Sequence, residues 1–186
     1  MIVTIDGPAG SGKGRIAKYI SNKWGFKHLD SGILYRNLAY KILKSQIDIK
    51  SPSEIKKILK KQKNISFRKY TRLRTEKISK IASIIATHKF VRDYINKFQR
   101  NFVNFNKKNS DFVIDGRDIG SVVFRNAELK LYIDVSEQNR AKRRYKQLID
   151  SGEKSIYPKI LKDIKLRDKK DKLRKNSPLV MPKDAK

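Results

Sequence analysis

The hydrophobic positions of this sequence change period several times, and each change marks an element. Met1 to Ile5 is a short apolar run closed by Asp6-Gly7, the pattern of a buried strand ending in a turn. From Lys13 to Trp24 the apolar residues Ile16, Ala17, Ile20 and Trp24 recur at helical spacing. Phe26 to Leu29 reads as a second short strand, and Ser31 stands where it could cap a helix running to about Lys44. Strand, glycine loop, helix, strand, helix predicts an α/β fold with a parallel sheet.

Residues Ile47 to Thr75 break the rhythm. They are lysine-rich, carry Ser51-Pro52-Ser53, and predict a short helix from Glu54 to Leu59, as a small insertion on the core. Helical spacing returns at Ile78, Ile81 and Ile85, then at Val91, Ile95, Phe98 and Phe102. Phe112 to Ile114 predicts a buried strand ending in Asp115-Gly116, and Leu129 to Val135 a further strand. Two charged helices follow, about Glu137 to Ile149 and Ile156 to Leu173. No internal repeat is present.

The 186 residues suit one compact domain, and no run approaches the length of a membrane span. Nothing resembles a signal peptide, and the absence of cysteine excludes disulfides and thiolate metal sites. A cytoplasmic protein, monomeric and without a membrane partner, is expected. The formal net charge of +28 draws polyanions, so nonspecific nucleic-acid binding enters as an expectation. The lysines are spread along the chain, however, and no interleaved aromatics of an RNA-binding type accompany them.

Gly7-Pro8-Ala9-Gly10-Ser11-Gly12-Lys13 fits the phosphate-loop pattern. Its glycines let successive N–H groups face a phosphate, the next helix adds its positive end, and Lys13 reaches the β- and γ-phosphates. Where a Ser or Thr would ligate Mg²⁺, this sequence has Gly14, followed by Arg15. The metal is then carried mainly by the nucleotide and water.

Four motifs in order, Asp6 to Lys13, Leu29-Asp30-Ser31-Gly32 with Tyr35-Arg36, Asp115-Gly116-Arg117-Asp118-Ile119-Gly120 with Val122-Val123-Phe124, and Arg167-Asp168 with Asp171, resemble bacterial cytidylate kinase over nearly the whole chain. The resemblance implies a three-layer phosphate-loop (P-loop) NTPase fold with a central parallel sheet, a small monophosphate-binding insertion at 47–75 and a short helical lid within 137–175. It implies transfer of the γ-phosphoryl group of MgATP to CMP or dCMP. The loop residues Gly7 to Arg15 would bind ATP. The acceptor-phosphate arginines fall on Arg36, Arg92 and Arg117, and the cytosine contacts on Ser31, Asp118, Arg167 and Asp171. Arg143 and Arg144 match lid arginines, and Arg174 a further charged contact. The chemistry suits these roles: a phosphate dianion needs forked donors, and a carboxylate can accept from the cytosine amine that uracil lacks. Lys13, Arg117, Arg143 and Arg144 are the expected catalytic set.

Duller readings stand beside each residue. Arg140 reads as part of a solvated basic helix face, Asp171 could pair with Arg167 four residues earlier, and Asp115 could orient waters on Mg²⁺. The family continues beyond the segment matching Pro178-Leu179 into a strand and a helix, whereas this sequence stops at Lys186. The strand from Leu129 is therefore expected to expose an edge, and the short 47–75 segment to lack the family's small sheet. The rival readings are another small P-loop kinase with a different acceptor, and a nonenzymatic RNA-binding protein on a kinase fold.

Overall fold

The structure, a computed structural model, describes residues 1–61, 73, 75–150 and 152–186. Strand β1 (Ile2–Asp6) leads through the glycine loop into α1 (Lys13–Trp24), then β2 (Lys27–Asp30) and α2 (Ser31–Lys44). Helices α3 (Pro52–Lys61), α4 (Glu76–Ile85) and α5 (Lys89–Asn106) precede β3 (Phe112–Asp115). A π-helical turn (Ile119–Val123), β4 (Leu129–Tyr132), α6 (Glu137–Asp150) and α7 (Tyr157–Leu173) complete the order. The small sheet question of the 47–75 segment falls largely on residues 62–72 and 74, outside the described residues.

The strands form one parallel sheet in the order β2-β3-β1-β4. In register, Ile2 lies beside Phe112 and Ile5 beside Asp115, while Asp6 lies beside Tyr132. All strand C-terminal ends therefore share one side, where ligands bind in open α/β sheets.

Alternation along the strands sorts the core into two layers. Val3, Ile5 and Val113 face α1, where Ala17 is fully buried and Ile16 and Ile20 pack alongside. Leu29, Phe112 and Ile114 face the other way into the larger cluster with Leu34, Leu38, Ile42, Ile85, Val91 and Ile95. That second layer is what the 3.6-residue spacing in α2, α4 and α5 serves: α2 packs on α4, and α5 carries Phe102 edge-on against Phe112 at 6.0 Å.

Helix ends follow local chemistry. Gly25, at φ +71°, closes α1 in the left-handed region. Asp30, not Ser31, caps α2: its Oδ1 accepts from the Ile33 N–H at 3.2 Å. Ser31 is the first helical residue, and its hydroxyl is committed elsewhere. Strand β4 stops at Tyr132, short of the expected Val135, where its neighbour β1 ends at Asp6, whose carbonyl accepts from the Ile133 N–H at 2.8 Å.

The edge of β4 expected to stand open is engaged. The Lys186 N–H donates to the Lys130 carbonyl at 3.0 Å, and the Tyr132 N–H donates to the Lys186 carbonyl at 2.8 Å. Buried Lys130 also donates to Asp184 at 2.6 Å. None of the helices, among the described residues, is long and apolar enough to cross a membrane.

Gly7 sits where β1 meets β4, with φ +145°, and a Cβ there would lie 2.2 Å from the Ile133 carbonyl oxygen. Gly25 needs positive φ too but has nothing within 4 Å. Gly7→Ala is expected to lower the unfolding free energy by about 3 kcal/mol or more, and Gly25→Ala by only about 1–2 kcal/mol, measured by urea titration.

Candidate active site

The glycine loop begins at the C-terminal end of β1, with Gly10 at φ +75° and Gly12 at φ +99° opening α1. Lys13 is 5% exposed, and its ammonium donates to the Pro8 carbonyl at 2.7 Å and to Ser11 Oγ at 3.2 Å. The lysine is thereby folded against its own loop, at the position a phosphate would share. Burial, and then the Arg117 charge, hold its pKa well below the usual lysine range. Gly14 and Arg15 lie on the exposed first turn of α1.

Across the strand ends lies a second charged group, drawn from α5, the loop after β3 and α7. Arg92 on α5, 3% exposed, donates from Nη2 to Asp118 Oδ2 at 2.5 Å and from Nη1 to the Ala86 carbonyl at 3.2 Å. Arg117 Nε donates to Asp171 Oδ2 at 3.0 Å. Arg174, at the end of α7, lies 3.8 Å from Asp118 and 3.6 Å from Asp171. Arg92, Asp118, Arg174, Asp171 and Arg117 thus form one chain of alternating charge. Asp171 makes its ion pairs with Arg117 and Arg174, not with Arg167. Arg167 is lowered to about 10, by burial first and then by the Arg117 charge, with Arg36 adding to it. Among the described residues its buried Nε has no hydrogen-bond partner, nor do Arg92 Nε and Arg174 Nη2, the last of which meets Asp118 only as an ion pair at 3.8 Å. Three guanidinium groups therefore hold unspent donors in the cluster, an arrangement suited to an oxyanion.

The remaining predicted residues border this group. Ser31 Oγ donates to the Asp115 carbonyl at 2.8 Å, which ties the start of α2 to the end of β3. A Cβ on Gly32 would sit 3.6 Å from Arg36 Nη1, so that guanidinium overhangs the first turn of α2. Tyr35, its hydroxyl buried without a partner and pushed up to about 12 by burial, has its ring 5.7 Å from the Arg92 guanidinium carbon. On α6, Arg143 Nη1 comes within 4.0 Å of a Cβ position on Gly12, beside the phosphate loop. Arg144 is exposed on the same helix.

Arg140 corrects the expectation of a solvated side chain. It is 3% exposed and donates to the Val135 carbonyl at 2.7 Å, the Ala9 carbonyl at 3.0 Å and Asp168 Oδ2 at 2.5 Å. The base of α6, the phosphate loop and α7 meet on this one guanidinium, beside a cleft of about 380 Å³ lined also by Pro8, Ser136 and Lys172. Helical spacing alone could not reveal it, because a basic residue on a basic helix carries no signal of burial. Asp6 and His28 were also unassigned. Asp6 accepts from the Ile119 and Gly120 N–H groups at 2.9 and 2.7 Å, and His28 Nε2 lies 2.6 Å from Asp115 Oδ1. In the sequence Asp6 shows only as the acid that closes β1 and opens the glycine-loop motif.

No group of three or more His, Cys, Asp or Glu residues able to hold a metal occurs among the described residues. Asp115 keeps Oδ2 toward the start of α1, 3.8 Å from a Cβ position on Gly14. That donor set fits a metal carried by phosphate oxygens and water, with one nearby carboxylate oxygen to accept from a water.

A parallel sheet with a glycine loop and buried lysine at its ligand-binding end, facing an arginine–carboxylate chain, defines a P-loop kinase. Residues 3–186 match the family model described as cytidylate kinase. The cytidylate kinase of Thermodesulfovibrio yellowstonii is 41% identical over 198 residues, covering 99% of this chain and 87% of that protein. That of Fusobacterium nucleatum is 37% identical over 194 residues (100% and 87%), and that of Rickettsia bellii 39% over 184 residues (99% and 82%). The chain belongs to the cytidylate kinase family, and is an ATP-dependent phosphotransferase.

Removing one partner of a buried ion pair strands the other charge. Arg140→Ala is expected to cost about 3–5 kcal/mol of stability, and the paired replacement Arg140→Met with Asp168→Leu distinctly less, measured by thermal and urea unfolding.

Proposed function

We propose that the chain transfers the γ-phosphoryl group of MgATP to CMP or dCMP, giving ADP and CDP or dCDP, by direct in-line displacement. The observation that carries this reading is the meeting of two charged groups at the strand ends. The Lys13 loop comes from β1, and the Arg92–Asp118–Arg174–Asp171–Arg117 chain faces it closely enough for Arg117 and Arg167 to depress Lys13. A donor phosphate on the loop and an acceptor phosphate on the arginines would then lie in line, and positioning supplies much of the barrier reduction.

In this reading the loop from Gly7 to Gly14, through its N–H groups (Pro8 has none), and the Lys13 ammonium grip the β- and γ-phosphates, with Arg15 at the rim. Lys13 exchanges its contacts with Pro8 and Ser11 for phosphate oxygens. Arg36, Arg92 and Arg117 hold the acceptor phosphate, using among others the unspent Arg92 Nε. Asp118 accepts from the cytosine amine, Ser31, Arg167 and Asp171 complete the nucleoside contacts, and Arg174 keeps both carboxylates oriented. The acceptor phosphate is already an anion, so no strong general base is needed. Bound Mg²⁺ would add phosphate-charge neutralisation, and Asp115 Oδ2 would accept from one of its waters. Arg143 beside Gly12, joined by Arg144, neutralises charge on the transferred group. A cysteine-free nucleotide kinase of this kind fits the cytoplasm, and no second chain is required to complete the site as drawn.

Coupled turnover with CMP, dCMP, UMP and AMP tests the acceptor. Turnover should favour the two cytidine nucleotides, and Lys13→Ala should lower kcat by about 10²–10³-fold or more. Folded protein inactive with all four acceptors, or preferring UMP or AMP, would defeat the reading. Arg143→Ala is expected to lower kcat by roughly 10²-fold with the KM for CMP little changed, because its contact is on the donor side.

A further inference from the structure

Asp6 is the last residue of β1 and immediately precedes the phosphate loop, yet its side chain serves the other half of the site. It is 1% exposed, and both carboxylate oxygens accept main-chain N–H groups: Oδ1 from Ile119 at 2.9 Å, Oδ2 from Gly120 at 2.7 Å. Those two amides open the π-helical turn that directly follows Arg117-Asp118. Such turns lack the ordinary helical pairing at their start, so their first N–H groups need outside acceptors. The turn is also tightly seated: a Cβ on Gly120 would fall 2.7 Å from Thr4 Oγ1, and one on Gly116 would fall 2.5 Å from Ser31 Oγ. The loop from Gly116 to Gly120 is thus clamped at both ends, and Asp6 supplies the clamp at its far end.

We propose that Asp6 is a positioning residue, which fixes Arg117 and Asp118 relative to the phosphate loop by holding the Ile119 and Gly120 amides from the end of β1. This rests on the acceptor roles given above to Arg117 and Asp118. The consequence is that one carboxylate sets the distance between donor and acceptor halves: its main chain runs into Gly7, and its side chain holds the acceptor loop. A purely apolar end to β1 would leave two buried N–H groups without partners.

The clamp is also sensitive to acid. Burial pushes the Asp6 carboxyl up to about 6, and the Asp118 charge adds to this, against the pull of the two amides and of Lys13. From β4, Tyr132 also feels the Asp6 charge, and Lys130 lies beside Gly120 with its ammonium on Asp184. Protonation places a hydrogen on one of the two accepting oxygens and weakens its bond to the facing amide.

Two measurements decide the proposal. In the unsubstituted protein, the Ile119 and Gly120 amide proton resonances should move upfield together as pH falls, with one midpoint near 6. In Asp6→Asn both shifts should vanish. Kinetically, Asp6→Asn should raise the KM for CMP about tenfold and lower kcat while the KM for ATP changes less than about twofold, since one of two charge-assisted bonds is lost on the acceptor side only. Amides that do not titrate, or an unchanged KM for CMP in a folded variant, would overturn the proposal. So would a rise in both KM values alike, or a fall in kcat alone, which mark general damage. If the unsubstituted protein itself fails to use CMP, the acceptor reading fails; titration of the two amides still tests whether Asp6 holds the turn.

Discussion

The site is governed by repulsion. Lys13, Arg36, Arg92, Arg117, Arg167 and Arg174 converge on the strand ends, and nearly every structural choice nearby keeps like charges from driving one another apart. Asp118 and Asp171 stand between the guanidinium groups, and Arg117 and Arg174 share Asp171. Lys13 and Arg167 are both depressed, by burial first and by neighbouring cations second. A group so assembled has strong reason to accept phosphate oxygens. The same cationic excess that strains the folded chain is what a nucleotide would relieve.

Holding such a group together requires rigid supports, and these come from beneath it. Asp115 accepts Ser31 through its carbonyl and meets His28 with its carboxylate, joining β3, β2 and α2 at one point. Asp6 joins β1 to the turn after β3. The sheet register sets Asp30 beside Asp115, and Asp6 beside Tyr132 one residue further along, so all four lie at the same end of the sheet. The charged side chains at the strand ends therefore rest on side chains that hold the main chain.

The sequence disclosed the fold well because its hydrophobic periods are clean. Helices α1, α2, α4 and α5 lie where Ile16–Trp24, the run after Ser31, Ile78–Ile85 and Val91–Phe102 place them, and their spaced apolar residues meet the core, except Trp24, which ends α1 exposed. The phosphate loop was legible for a different reason: its glycines and lysine are required by backbone geometry, which few other sequences satisfy. Long-range pairing was not legible. Asp171 has Arg167 and Arg174 on its own helix, and nothing in the spacing says that Arg117, 54 residues away, is the closer partner. Ser31 and Asp30 are both good caps, and the strand end decides between them. Arg140 looked like its basic neighbours because burial of an arginine depends on what lies across from it, here Ala9 and Asp168. The closing of the β4 edge by Lys186 likewise depends on a main-chain path that no local pattern encodes.

Arg140 fixes the base of α6. Its guanidinium holds that base to Val135, Ala9 and Asp168 at once. A helix pinned at this point cannot pivot from its first residue without breaking a buried ion pair. Were α6 to close on a bound nucleotide, it would bend beyond Arg140, and Arg143, beside Gly12, would travel less than the far end of the helix.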